Sequence, residues 1–354
     1  MSQNILITGA AGFIGGSLLA ELVSRQNGPI KTLNISAIVR SEEQAQALAK
    51  LDVNVIQADL KDEKSMSEVI LRNEIDIVVH TASSRFPTMV SYMIKALGQR
   101  RQVSGKETYF IHSSVSTIFS EEGGWPYGEV RDTDPIFAKE KEIARGHPVR
   151  DTEILIVEES KAQGVTSFIL AVPTTYGRGR GEWRKLSVNM PAYIRTSIAQ
   201  KAVYKFEVDG HPPATHISDL VAFYVLLIEK ILQKEQIPSG EQGYYFVTAH
   251  KAPWWAVMQR VAEALYARGL VDEPQTRVWP SYDVAADTLG FPRIFMKAIG
   301  TSSGDLVAVK SYRLGWQPKW DEERFLNSVD DEIQSVLDLD TVKPSLFADP
   351  ASTS

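Results

Sequence analysis

The chain has 354 residues, 44% hydrophobic and 23% charged, with a formal net charge of −6. That balance fits a globular α/β protein with room for a large core, and the lack of a basic arm argues against a nucleic-acid partner. Cysteine is absent, which excludes disulfides, thiolate metal sites and a cysteine nucleophile.

No charged-then-apolar leader opens the chain, and no run approaches the roughly 18 apolar residues of a membrane span, so a cytoplasmic, non-membrane protein is expected. In chain order, apolar and β-branched runs at 4–8, 35–39, 53–57, 75–80, 109–113 and 168–172 read as strands. Their nearly continuous apolar character suits parallel strands covered on both faces. Between the first two, Ile14, Leu18 and Leu22, with Leu19 and Val23, share a helical face, and Asn27-Gly28 is expected to end that helix. Strand–helix alternation predicts an α/β fold: a Rossmann-type, doubly wound parallel sheet with its ligand at the strands' C-terminal ends.

Beyond Tyr176 the rhythm changes. A glycine-rich loop leads to a helix near 186–200, a strand at 203–208, an apolar helix at 220–232, a strand at 244–248 and a helix at 254–268. The expected division is a dinucleotide-binding domain over 1–175, a smaller α/β cap over 176–341 interleaved with the end of the sheet, and a flexible tail over 342–354. The substrate cleft is expected between cap and sheet.

The stretch ILITGAAGFIGGSLLAELV, residues 5–23, places Gly9, Gly12 and Gly15 between a strand and a helix. A helix N-terminus offers unpaired N–H groups and a partial positive charge, which suit an anion. In such a cradle Gly9 makes the tight turn, Gly12 admits a pyrophosphate and Gly15 lets the helix pack near the sheet. The end of the second strand selects the dinucleotide, because a carboxylate there pairs with the ribose 2′-OH of NAD and an arginine accepts the 2′-phosphate of NADP. Here Arg40 and Ser41 stand at that point, with no carboxylate before Glu42. The planar donor fork of arginine suits phosphate, and NADP(H) is the expected cofactor.

Taken together, the sequence resembles the extended and atypical short-chain dehydrogenase/reductases, the group of NAD-dependent epimerase/dehydratases and NmrA-like proteins. The residues that carry the resemblance are TGAAGFIGG (8–16), ADL (58–60), VVHTAS (78–83), FIHSS (110–114), VPTTYGRG (172–179), HISDL (216–220) and YRLGWQP (312–318). The resemblance implies that Gly9, Gly12, Phe13 and Ile14 line the pyrophosphate, Asp59 and Leu60 the adenine, and Thr81, Ala82 and Ser83 the nicotinamide ribose. It places Pro173 and Thr175 near the nicotinamide ring.

The family's acid–base pair, Tyr-x-x-x-Lys after the fifth strand, is missing. Its lysine position falls near Val149 or Arg150 and its tyrosine position near Arg145 or Gly146, in ARGHPVRDTEILIVEE. Arg150 could clamp the ribose, though an always-charged guanidinium cannot relay a proton. His147 is an acid–base candidate near neutral pH, or else His147-Pro148 simply starts the helix. Ser113, Ser114 and Ser116 end the fifth strand, where the family bonds a substrate carbonyl, with Val115 near one such slot. Tyr127 and Tyr176 are the tyrosines outside the helix that could supply the missing proton. Arg178, Arg180, Arg184 and Lys185 crowd the loop YGRGRGEWRK, residues 176–185, to bind cofactor phosphates or an acidic substrate, or as a solvated loop. Six histidines without H-x-H or H-E-x-x-H spacing give no expectation of a metal.

The leading expectation is an NADP(H)-dependent oxidoreductase acting on a small carbonyl or enone compound. Two alternatives stay open: a non-redox isomerase, dehydratase or cyclase with bound cofactor, and an NmrA-like NADP(H)-sensing regulator without turnover. A homodimer is possible through the helix at 153–163, whose apolar run at 154–157 is equally explained by burial within one chain.

Overall fold

The computed structural model describes residues 3–143 and 145–339, so the tail expected at 342–354 lies outside the described residues. Its first half runs β1 (Asn4–Thr8), α1 (Phe13–Ser24), β2 (Asn34–Val39), α2 (Glu42–Leu48), β3 (Asn54–Gln57), α3 (Glu63–Arg72), β4 (Ile77–His80) and α4 (Pro87–Ser104). Then come β5 (Tyr109–Val115), a two-residue β6 (Val130–Arg131), α5 (Ile136–Glu142), α6 (Pro148–Gln163) and β7 (Thr166–Val172). The second half runs β8 (Thr174–Tyr176), α7 (Asn189–Gln200), β9 (Val203–Lys205), β10 (Pro213–His216), α8 (Ile217–Leu232), β11 (Tyr244–Phe246), β12 (His250–Lys251) and α9 (Trp254–Ala267). It closes with β13 (Thr276–Val278), α10 (Tyr282–Leu289), α11 (Arg293–Thr301), β14 (Leu306–Val307), α12 (Lys310–Arg313), α13 (Glu322–Asn327) and α14 (Val329–Leu339).

Seven strands form one parallel sheet in the order β11-β7-β5-β4-β1-β2-β3. The winding reverses between β1 and β4, and that reversal opens the crevice where such sheets take ligands. Successive strand residues point to opposite faces. Ile5 and Ile7 therefore pack with Leu18 and Leu22 of α1 and Phe223 and Leu227 of α8, while Leu6, Val78 and Phe110 pack against Met93 of α4 and Ile156 of α6. A third core joins Tyr193, Trp254, Val257, Val261 and Phe325 in the cap.

Two elements beyond Tyr176 belong to the main sheet: β11 pairs with β7, and α8 covers the face that α1 covers. Several boundaries differ from the sequence expectation. The first helix closes at Ser24, where Arg25 N–H bonds the Leu22 carbonyl (3.3 Å), and Asn27-Gly28 leads instead into a 3₁₀ turn at Pro29–Thr32. The strand expected at 203–208 ends at Lys205, because its partner β13 offers only three residues. The apolar helix begins earlier, at Ile217, because the His216 ring accepts from Ser218 N–H and caps it. Pro148 opens α6, as the reading of His147-Pro148 as a helix start expects, and it fits the first helical position because it has no N–H to leave unpaired.

Asp132, fully buried, fastens the two halves. Its carboxylate accepts N–H bonds from Phe246 (3.3 Å), Val309 (2.9 Å) and Lys310 (3.0 Å). Asp132→Ala strands those donors away from water and should lower unfolding free energy by roughly 3 kcal/mol. Urea unfolding checks this, and an unchanged midpoint would contradict the fastening role.

Candidate active site

The β1–α1 turn is held by close backbone contact. Gly9 has φ +71°, and a Cβ there would lie 2.8 Å from the Thr81 backbone; a Cβ on Gly15 would collide with the Gly9 carbonyl and Thr81 Oγ1. Gly12 differs, since its missing Cβ would meet only the Gly9 carbonyl, leaving open space beside it. Gly12 N–H closes the turn onto Gly9 O (2.8 Å), and no side chain caps α1. The first-turn amides at Phe13, Ile14 and Gly15 are thus left for an anion. These residues fit a dinucleotide pyrophosphate.

Neighbouring segments are fixed in turn. His80 Nε2 donates to the Ser83 carbonyl (2.9 Å), which leaves Nδ1 to accept from Thr8 Oγ1 (2.7 Å). Burial pushes His80 down to about 4, so the ring stays neutral and pins Thr81, Ala82 and Ser83 beyond β4. Beyond the ends of β2 and β3, Arg40 is exposed, Ser41 caps α2 through Gln44 N–H, and Asp59 accepts from Lys61 N–H (2.9 Å) beside buried Leu60. Pro173 is buried, and its carbonyl accepts from Thr175 Oγ1 (3.0 Å).

The inner face of α6 carries a closed polar network. Ser114, on β5, donates to Glu153 of α6, and Tyr244 OH donates to Glu140 of α5 (2.7 Å). Glu140 Oε1 and Glu153 Oε2 find no hydrogen-bond partner, and two carboxyls buried this near each other favour a neutral form over a second negative charge. Burial pushes Glu140 up to about 7 and Glu153 well above the carboxylate range, the latter helped by the charge of Glu140. Arg150, 3% exposed, supplies the neighbouring positive charge and donates to the carbonyls of Ile118 (3.1 Å) and Gly123 (3.4 Å). It thereby ties down the loop after β5, where Ser116 is buried too.

None of the positions read as the acid–base pair presents a phenol or an amine: Arg145 and Gly146 are exposed and bonded to Asp151, and Val149 is in the core. His147 stands at the N-terminal end of α6, half-buried, with its imidazole pushed down by burial and by Arg150. Tyr127 is 38% exposed and donates to Glu142 (2.9 Å). Tyr176 is buried, and its hydroxyl donates to His250 Nε2 (2.9 Å), while His250 Nδ1 donates to the Lys251 carbonyl (2.8 Å). Burial and the charge of Asp219 raise the Tyr176 phenol, so it stays protonated.

Sequence reading missed Glu140 and Glu153, which only the fold brings together, and Tyr224 of α8, whose hydroxyl meets Ser113 Oγ at 2.5 Å. Glu153 left one signal, a carboxylate one turn from Arg150 on the apolar face of TEILIV.

A glycine-turned anion cradle at the reversal point of a parallel sheet, with a cap beyond it, defines a nicotinamide-dinucleotide enzyme fold. Residues 5–238 match the model of the NAD dependent epimerase/dehydratase family, and the chain belongs to that family, whose members are nicotinamide-dependent enzymes. Similar curated proteins include Oxidase ucsJ from an Acremonium species, 25% identical over 77% of this chain and 81% of its own length. Another is the dTDP-4-dehydro-6-deoxyglucose reductase of Escherichia coli, 26% identical over 64% of this chain and 73% of its own. Among solved structures, the dTDP-glucose 4,6-dehydratase of Bacillus anthracis in complex with NAD has TM-score 0.64 at 12% identity, covering 95% of this chain and 97% of that one. The UDP-glucose 4-epimerase of Thermotoga maritima, with UDP-glucose, has TM-score 0.62 at 16% identity, covering 95% and 100%. These likenesses establish the shared fold. Among the described residues no helix is long and apolar enough to cross a membrane.

The carboxyl pair has a pH signature. A carboxyl whose folded pKa is raised stabilises the fold below its ordinary range, near 4.5, and that contribution is lost as pH rises through about 7. Glu332, also pushed up to about 7 by burial, acts in the same direction. Glu140→Gln removes one of the titrating carboxyls, so its urea midpoint should fall less than that of the unaltered protein between pH 5.5 and 8. An equal fall would contradict the raised pKa of Glu140.

Proposed function

We propose that the protein is an NADP(H)-dependent oxidoreductase that reduces a small carbonyl or enone compound. The observation that carries the cofactor choice is Arg40, exposed at the end of β2 with no carboxylate before Glu42. When bound, the nicotinamide supplies the hydride. The backbone amides of Phe13, Ile14 and Gly15 hold the pyrophosphate, Asp59 and Leu60 flank the adenine, Thr81, Ala82 and Ser83 flank the nicotinamide ribose, and Pro173 and Thr175 back the ring.

The proton is a separate matter. Ser114, Arg150 and Tyr176 are bonded to other protein groups, and we assign them to positioning: Ser114 and Arg150 hold the end of β5 and its loop, and Tyr176 holds the β8 turn. Tyr127 is bonded too, to Glu142, but stands exposed on its loop, so Ser116, His147 and Tyr127 remain to orient the substrate and exchange its proton. His147 is the acid in this reading, giving a proton to the carbonyl oxygen as the hydride reaches carbon. Because its pKa is lowered, the acid form is scarce at neutral pH and reduction should accelerate as pH falls. His147→Gln should lose that acceleration, with a drop of about 10²-fold in kcat and little change in NADPH affinity. Retention of the same pH–rate profile would remove His147 from the role.

A second reading is favoured by the missing tyrosine–lysine pair: the cofactor stays bound while the cleft isomerises, dehydrates or cyclises its substrate. Assay over a panel of ketones and enones separates the two. Reduction consumes one NADPH per product, and product without NADPH loss would favour the second reading. Tight, redox-dependent binding with no reaction at all would point to a sensor. Arg40→Ala should cut kcat/KM with NADPH by about 30-fold and leave NADH nearly unchanged, the loss of one charge-assisted phosphate contact.

A further inference from the structure

The loop between β8 and α7, residues 177–188, runs back from the cap over the first turn of α1. Gly181 lies so close that a Cβ on it would sit 2.9 Å from Gly16 Cα, and a Cβ on Gly16 would meet Gly181 Cα at 3.2 Å. Gly179 lies against the Phe13 ring and Ser17 Oγ, each 2.9 Å from where its own Cβ would be. None of these three glycines has the left-handed backbone that favours glycine, so close contact, not chain conformation, calls for the missing side chains. Two ion pairs flank the crossing, Arg180 with Glu21 (2.9 Å) and Lys50 with Glu182 (2.5 Å). Both cations are exposed and such pairs hold a loop with little energy, so the glycine crossing fixes its path.

At this crossing a chain of hydrogen bonds enters the anion cradle. Arg180 N–H donates to Ser17 Oγ (3.2 Å), and the Ser17 hydroxyl donates to the Phe13 carbonyl (2.7 Å). Ser17 is buried, which keeps water from competing for these bonds. Phe13 C=O and Ile14 N–H belong to one planar peptide unit, and Ile14 N–H is one of the first-turn amides left open to an anion. A bond accepted at the carbonyl oxygen polarises that unit and strengthens its N–H as a donor. Before the crossing, the loop is held by the cap: Gly177 N–H donates to the buried carboxyl of Glu332 on α14 (2.5 Å). After it, the chain continues into α7, whose Met190 and Tyr193 lie in the cap core.

We infer that Ser17 is a positioning residue for the cofactor, passing the seating of the 177–188 loop to the peptide that holds the pyrophosphate, so that loop and dinucleotide stabilise each other. This rests on the dinucleotide reading above and extends it to the cap. Ser17 acts through Phe13 and Ile14 and not by touching the reacting atoms. Linkage of this kind is reciprocal: a loop that strengthens the amides when seated is itself held down when they are occupied. The pyrophosphate is common to NADP(H) and NAD(H), so the effect is the same for both and separate from the choice assigned to Arg40. Because the loop leads into α7, cofactor occupancy reaches the cap by this route.

The test is tryptic cleavage of the full chain within the loop, after Arg178 and Arg180, read by mass spectrometry with and without saturating NADPH or NADH, beside calorimetric titration. Cleavage of a loop that opens and recloses quickly tracks the population of its open form. In the unaltered protein either dinucleotide should slow loop cleavage by about fivefold or more. Ser17→Ala should bind both dinucleotides about fivefold more weakly and, once saturated, lose most of that protection. Gly181→Ala, whose new methyl pushes the loop off Gly16, should do the same, and it decides the matter if Ser17→Ala does not fold. A serine that merely stabilised α1 would, on replacement, lower the unfolding midpoint and leave the protection unchanged. That result, or loop cleavage indifferent to saturating dinucleotide in the unaltered protein, would overturn this inference while the dinucleotide reading stands. Failure of both dinucleotides to bind the unaltered protein would overturn the reading itself.

Discussion

The structure depends on a near-contact between two turns: the one after β1 and the one after β4. Gly9 and Gly15 lie against Thr81, whose hydroxyl donates to the Thr8 carbonyl (2.7 Å). No side chain larger than hydrogen fits at either glycine without moving backbone. That approach aims the start of α1 at the crevice with its amides uncapped, a conformation that gains its full hydrogen bonding only against an anion. His80, neutral and bonded on both sides, carries the constraint into the turn after β4.

A second constraint lies under β5. In most members of this fold family the inner face of the following helix is given to a tyrosine and a lysine, by the resemblance drawn above. Here that face is filled by Arg150, Glu153 and, from α5, Glu140. Burial raises the pKa of both carboxyls, and the Arg150 guanidinium offsets the charge that remains, the condition under which such groups are tolerated in a core. The cluster ties the end of β5, the loop after it and the edge strand β11 into one unit.

Much of this was legible from sequence. The parallel sheet follows from runs that are apolar on both faces, as at Ile77–His80, and the cradle from three glycines between strand and helix. Arg40 could be placed because a strand end is a fixed address in this fold. The cap was harder, since strands such as β9, β10 and β12 are two to four residues long and owe their form to partners elsewhere in the chain. The carboxyl pair was hidden for another reason. Glu140 sits among IFAKEKE, where it reads as one more solvated charge, and only tertiary packing selects it for burial. The path of the loop at 177–188 across α1 to Lys50 is likewise a long-range contact that no local pattern announces.

The central claim is that backbone amides at Phe13, Ile14 and Gly15 hold a pyrophosphate whose attached adenosine is preferred in its phosphorylated form. Titration of the unaltered protein with NADPH and NADH in parallel tests it most directly. The account predicts saturable one-to-one heat from both, with NADPH bound at least about tenfold more tightly. Absence of heat from either dinucleotide, or tighter binding of NADH, would contradict it.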